Sequence, residues 1–293
     1  MKKKWTHVFL SLFVSLILSM TAVYRTDGFL EEKIEGVVKD KQNYSAQESI
    51  HPILSQTFRY LSKGRQSFVF ESEDGQYVLK FFNRDYFEMP WYGFFVHEKE
   101  KRKRDLRRSF FENSYEIAFQ ELGEEILYLH MAKSQNLPPI KIKTKDKRMS
   151  LIDSNQVAFV LQTKGEPFYP TLQKIYQLGG EEALSLEIEK FVKQIHVRIE
   201  KGIADADSDV KNNWGYVKGR IFHLDPGRLY YDPELNDPHR KEQEVERSTR
   251  SLKKWLQRQG IYPAPCPSAG GSRPDPKIQM IGINLISINS FFC

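Results

Sequence analysis

Hydrophobic and polar positions along this chain alternate with changing period. From Val8 to Tyr24 the chain is nearly continuously apolar, behind Met-Lys-Lys-Lys. A basic start before such a run predicts a signal peptide or uncleaved signal anchor over residues 1–28, near the lower length limit for spanning a bilayer. The lysines would then stay cytoplasmic and the remainder would lie outside. Residues 29–49 are mixed and polar, as a linker would be, and a short helix is expected from Ser49 to about Tyr60. Two strand-like runs, around Phe68-Val69-Phe70 and Tyr77-Val78-Leu79, flank Asp74-Gly75, a tight-hairpin signal.

Asn113-Ser114 can cap a helix reaching about Lys133, with Tyr115, Ala118, Leu122, Ile126 and Leu129 at helical spacing. After Pro138-Pro139, strands are expected at Ile140–Lys145, Met149–Ile152 and Val157–Gln162. Helices follow at Thr171–Leu178 and Gly180–Lys201. The second carries an apolar stripe of Leu184, Ile188, Phe191, Ile195 and Ile199, with Gly202 as its C-cap. Trp214–Val217 and Ile221–Leu224 read as a hairpin turning at Lys218-Gly219. Asp237-Pro238 starts a last helix, running to Gln259, by a cap and a first-turn proline. Residues 263–293 form a tail, rich in Pro, Gly and Ser as far as Pro276 and therefore expected to be disordered there, with an apolar run from Ile278.

Composition narrows the classes. The chain has 293 residues, 40% hydrophobic and 28% charged, which is ordinary for a globular protein. Its net charge of +6 comes largely from the N-terminus and the run His97–Arg108, so a nucleic-acid role is not implied. Cys266 and Cys293 both lie in the tail, which excludes a disulfide-built core and a metal–thiolate site. Residues 83–112 combine an aromatic-rich stretch with that basic run: a solvated helix face beside a core flap, or a surface for anionic lipid or a phosphorylated substrate.

Chemistry concentrates in residues 202–228. Asp207 precedes Asn212 by five positions, and the hairpin then leads to Asp225-Pro226-Gly227. Pairing across the hairpin brings Asn212 and Asp225 together with Asp207 on the loop before them. Carboxylates beside an amide oxygen suit Mg²⁺, a hard cation. Asp205-x-Asp207-x-Asp209 also suggests a calcium loop, but Val210 and Tyr216 stand where a helix-loop-helix site needs Gly and Glu. A purely structural turn capped by aspartates is the third reading.

The order Asp207-x-x-x-x-Asn212, hairpin, Asp225-Pro226-Gly227 resembles the protein-kinase-like superfamily, and lies closer to its small-molecule and lipopolysaccharide-core kinases than to full protein kinases. The resemblance implies a two-lobed α+β fold: an N-lobe over 50–165 with an insertion at 83–112, then a short C-lobe over 166–262. It implies ATP and Mg²⁺ as cofactors. Gly64 would sit in the phosphate-covering loop, Lys80 would reach the phosphates, and Glu121 would pair with that lysine. Adenine would meet main-chain groups near Gln162–Lys164. Asp207 would orient or deprotonate the acceptor hydroxyl, and Asn212 and Asp225 would hold the metal. Only one glycine marks the phosphate loop, Asp205-Ala206 replaces the usual His-Arg, and no Ala-Pro-Glu follows. The implied activity is phosphotransfer to an alcohol on an unidentified carbohydrate, lipid or protein. The alternative is an inactive kinase-like binding or scaffold module, membrane-anchored through residues 5–24 or secreted. A third class is a membrane-anchored adaptor docking a partner through residues 83–108.

Overall fold

Aromatic and β-branched residues build the larger sheet, whose middle strands are buried nearly throughout. The computed structural model describes residues 12–15, 17, 19–21, 23–47, 49–87, 98–123 and 125–261. The chain is α+β with a mixed sheet and divides into two units, residues 1–108 with 125–164 and residues 109–124 with 165–293.

The first unit contains β1 (Tyr44–Ser45), α1 (His51–Leu54), β2 (Thr57–Lys63), β3 (Ser67–Glu71), β4 (Tyr77–Phe82) and α2 (Arg84–Phe87). The first part of α3 (Glu98–Ile117) belongs to it as well. Then come β5 (Ile126–His130), β6 (Ile140–Lys143), β7 (Met149–Ile152) and β8 (Phe159–Thr163). The eight strands pair in the order β1-β5-β8-β4-β3-β2-β6-β7. Every pair is antiparallel except β2 with β6. Phe58, Phe68, Phe70, Phe81 and Phe159 fill the core. Rings meet edge to face at Phe70–Phe81, with centroids 5.7 Å apart, and at Phe81–Phe159, at 6.3 Å.

Local signals failed at several places in this unit, each for a physical reason. Residues 57–63 are a strand, not the end of a helix: Phe58 is buried and Arg59 exposed, a period of two. The helix expected from Asn113 to Lys133 begins instead at Glu98 and ends in a π-type turn at Ala118–Leu122. Gly123 then adopts a left-handed conformation, and Ile126–His130 becomes a fully buried strand. Helical spacing through Leu122, Ile126 and Leu129 therefore ran across a break. The turn at Asp74-Gly75 is longer than two residues, with Ser72 N–H bonded to Tyr77 O at 3.0 Å. Part of the expected linker is woven into the fold: Phe29 and Ile34 are buried, and Glu35 N–H donates to Phe82 O at 2.9 Å.

Residues 12–15, 17, 19–21 and 23–26 are helical. Among the described residues no helix is long and apolar enough to cross a membrane. Residues 1–11, the aromatic stretch 88–97 and the tail 262–293 lie outside the described residues, and so do the anchor's basic start, both cysteines and the apolar run from Ile278.

The second unit takes the end of α3, then β9 (Glu166–Pro167), α4 (Phe168–Glu200), β10 (Ile203–Asp205), α5 (Val210–Asn213), β11 (Trp214–Val217), β12 (Arg220–His223), β13 (Leu229–Tyr231) and α6 (Pro238–Arg258). Gly180 breaks α4 with φ 67° and ψ −158°. The stripe Leu184, Ile188, Phe191, Ile195 and Ile199 is buried, with Leu252 and Leu256 of α6 in the same core. Lys218 and Gly219 both have positive φ, 49° and 76°, which matches the right-handed twist of strands joined by two residues. Asp237 caps α6, accepting from His239 N–H at 2.7 Å.

Candidate functional site

The acidic loop of the second unit is organised by a ladder of side-chain to backbone bonds. Asp205 accepts from Asp207 N–H at 2.8 Å, Asp207 from Asp209 N–H at 3.2 Å, and Asp209 from Lys211 N–H at 3.1 Å. Each bond closes a local turn. The three carboxylates thus shape the loop, as the structural-turn alternative expects, and Asp205 is buried away from any calcium-type arrangement.

From this loop the chain enters β11, which pairs with β12 so that Trp214 faces His223. One step outward, Asn213 O accepts from Leu224 N–H at 2.6 Å and from Asp225 N–H at 3.3 Å. The buried Asn213 side chain donates to Asp207 O at 3.2 Å. Asn213 therefore ties the loop of Asp207 to the segment of Asp225. Asn212 does something else: it is exposed, and its amide donates to Asp209 Oδ2 at 2.6 Å. Hairpin register alone cannot separate the two asparagines; burial does.

Strand β10 pairs with β13, and Ala206 N–H donates to Arg228 O at 2.9 Å. Arg228 Nε lies 3.9 Å from Asp207 Oδ2. The segment around Asp225 is clamped from α3. Ser114 Oγ donates to Pro226 O and accepts from Leu229 N–H at 2.6 Å. Tyr115 donates to Asp225 Oδ1 at 2.9 Å. Burial, and then the Asp225 charge, push the Tyr115 hydroxyl well above its ordinary pKa, so it stays a donor.

Close packing forces glycine at Gly215, where a Cβ would lie 2.4 Å from the backbone oxygen Glu166 O. A Cβ on Gly165 would lie 2.6 Å from Leu224 Cδ2 and 2.8 Å from Phe222 Cε1, side-chain atoms that would have to move.

Beneath the loop lies a buried charge network that pattern reading did not find. Arg198 on α4 and Glu244 on α6 are 2% and 0% exposed, with Nη2 to Oε1 at 2.9 Å. The same Glu244 oxygen accepts Asp205 N–H at 3.0 Å, while its other oxygen meets Arg247. His223 Nε2 and Asp205 Oδ2 are 3.1 Å apart, and Arg198 Nη1 is 3.8 Å from the same oxygen. Burial pushes the Asp205 carboxyl up. The hydrogen bond and charge of His223, with the charge of Arg198, outweigh it and leave the net shift downward. Asp205 stands two residues before Asp207, and His223 two residues before Asp225. Their contact is a second brace between the two segments.

The first-unit candidates are placed as follows. Lys80 sits on β4 between Val69 and Val160 and is 6% exposed, so it is not a solvent-facing strand lysine. Gly64 lies in the exposed turn between β2 and β3; a Cβ there would meet Ser67 O at 3.7 Å and Ser67 Oγ at 3.9 Å, both ordinary contacts. Gln162 is buried on β8. The main-chain donors beside it are already engaged, Thr163 N–H with Glu125 O at 2.9 Å and Lys164 N–H with Gln76 O at 2.8 Å. Glu121 belongs to the second unit, where its carboxylate meets Tyr231 Oη at 3.1 Å and Lys201 Nζ at 3.9 Å. The acid of α3 that is buried is Glu112, which the sequence reading passed over.

The donor set suits Mg²⁺ in kind. A carboxylate at Asp225 and amide oxygens at Asn212 and Asn213 are hard donors, and Mg²⁺ takes one or two carboxylates with phosphates and water completing its shell. Among the described residues no group of three or more His, Cys, Asp or Glu could hold a metal unaided.

No protein-family model matches the chain, and no curated protein does. It is similar to solved structures of WbdD. The structure described as the bifunctional kinase-methyltransferase WbdD shares 15% identity over 74% of this chain and 46% of that one, with a TM-score of 0.35. The co-crystal structure of WbdD with the kinase inhibitor LY294002 shares 14% identity over 70% and 38%, with a TM-score of 0.33. The chain spans less than half the length of these structures. A likeness at this level carries no weight for activity.

Proposed function

We propose that the chain is a kinase-like phosphotransferase that uses ATP and Mg²⁺ to phosphorylate a hydroxyl group. What supports the reading most is the double brace on the acidic loop. Asn213 and the Asp205–His223 contact hold the segments of Asp207 and Asp225 together, although Asp225 lies 18 positions beyond Asp207. Phosphoryl transfer asks for little covalent chemistry from the protein. It asks for fixed charges at fixed places. In this reading Asp225 and Asn213 are the metal donors, with Asn213 replacing Asn212. Asp207 orients the acceptor hydroxyl. Lys80, a buried ammonium on a central strand, neutralises phosphate charge. Its place on a buried central strand is what the reading expects of the phosphate-contacting lysine.

The test is thermal melting of the full chain with ATP, with and without Mg²⁺. At a nucleotide concentration about a hundred times Kd, binding adds ~2.7 kcal/mol and raises the midpoint by roughly 5–10 °C. The shift should require Mg²⁺ and vanish in Asp225→Ala. No shift in the wild-type chain would rule out the nucleotide reading. A shift without phosphotransfer would select the inactive binding module.

A further inference from the structure

An unusual share of the exposed apolar surface belongs to one corner of the first unit. On the N-terminal helical segment Leu12, Phe13, Met20 and Tyr24 are 62%, 59%, 64% and 80% exposed. That segment ends against the tip of the β6–β7 hairpin. Lys145 Nζ lies 5.5 Å from the Tyr24 ring centroid and 2.5 Å from Asp27 Oδ1. A groove of about 370 Å³ at this corner is lined by Arg25, Lys33 and Arg148 among others.

The hairpin continues the theme. Ile140, Ile142 and Ile152 point into the core, so the alternate positions point out. Lys141 stands opposite Leu151 and Lys143 opposite Met149, all four exposed. Strand β7 is the edge of the sheet. Lysines on an edge strand are a common guard against edge pairing, but that role does not explain Met149 and Leu151, 58% and 60% exposed between them and solvent. Apolar side chains interleaved with cations, beside an exposed apolar helix too short among the described residues to span, are the chemistry of a lipid–water interface.

We propose that this corner docks the chain onto an anionic phospholipid bilayer. The N-terminal segment lies in the interface, Met149 and Leu151 dip among the acyl chains, and Lys141, Lys143, Lys147 and Arg148 meet the headgroups. The proposal is independent of the phosphotransferase reading.

The experiment is flotation of the full chain with phosphatidylcholine vesicles, with and without phosphatidylglycerol, at low and high salt. Binding should need phosphatidylglycerol and weaken with salt. Lys141→Glu with Lys143→Glu should weaken it by roughly a hundredfold, and Met149→Ser with Leu151→Ser by about tenfold. Unchanged melting midpoints would show that these exposed substitutions leave the fold intact; if they do not, Lys147→Glu at the hairpin tip takes their place. Equal binding to neutral vesicles, no binding to either, or wild-type binding by the variants would overturn the proposal. So would resistance of the native, membrane-bound chain to alkaline carbonate, which would mean a spanning segment holds it.

Discussion

The two units solve the problem of a stable interior differently. In the first, one sheet stacks phenylalanines on a single face, and its buried cation Lys80 sits among strand neighbours. In the second, the apolar core of α4 and α6 is threaded by Arg198, Glu244, Asp205 and His223, all buried. Removing apolar groups from the first should cost in proportion to the volume lost. Removing one partner from the second leaves an uncompensated charge, a larger and less local penalty. Of the proposed site residues, Asp207 and Asp225 are attached to the second kind of interior and Lys80 to the first.

The comparison can be broken most severely at Glu244. Glu244→Ala should cost about 3–5 kcal/mol, because Arg198 loses its nearest carboxylate inside the protein. Hydrogen exchange should show the loss in residues 165–261, leaving strands β2–β4 and β8 protected. Uniform loss of protection across both units would mean that they do not unfold separately.

The asparagines sharpen the comparison. Asn213→Ala should lower Mg²⁺-dependent turnover by about 10²–10³-fold, the scale of losing a fixed polar group at a reacting centre. Asn212→Ala should cost only about what an exposed hydrogen bond to Asp209 contributes, roughly 1 kcal/mol of stability. Steady-state kinetics with each variant would decide; a larger kinetic loss from Asn212→Ala would return the metal to the donor that spacing alone selects.

Acid gives the mildest test. The Asp205 carboxyl titrates below its ordinary value in the folded chain, so its contribution is complete above about pH 4 and fades as pH falls further. Asp205→Asn should flatten the stability profile below about pH 4. A profile unchanged by that substitution would remove Asp205 from the account.

How much of this was legible depends on the range of the signal. The hairpin at Lys218-Gly219, the helix stripe from Leu184 to Ile199 and the start at Asp237-Pro238 are local, and the structure has them close to where the pattern predicts. Short apolar runs such as Ile126–His130 read equally well as helix or strand, and only the break at Gly123 decides. The charge network was invisible for a different reason. Arg198 and Glu244 are 46 residues apart, and any pattern rule assigns such side chains to solvent. The burial of Asn213 beside the exposed Asn212 was hidden as well, since the motif spacing fits Asn212 and says nothing of exposure.

The proposed function has Asn213 and Asp225 hold the same metal. A double-mutant cycle measures it directly: Mg²⁺-ATP affinity in the full chain, Asn213→Ala, Asp225→Ala and the double variant. The account predicts that each single change weakens binding and that the double change costs less than their sum, with a coupling on the order of 0.5–3 kcal/mol. Strictly additive losses, or an affinity indifferent to either residue, would contradict it.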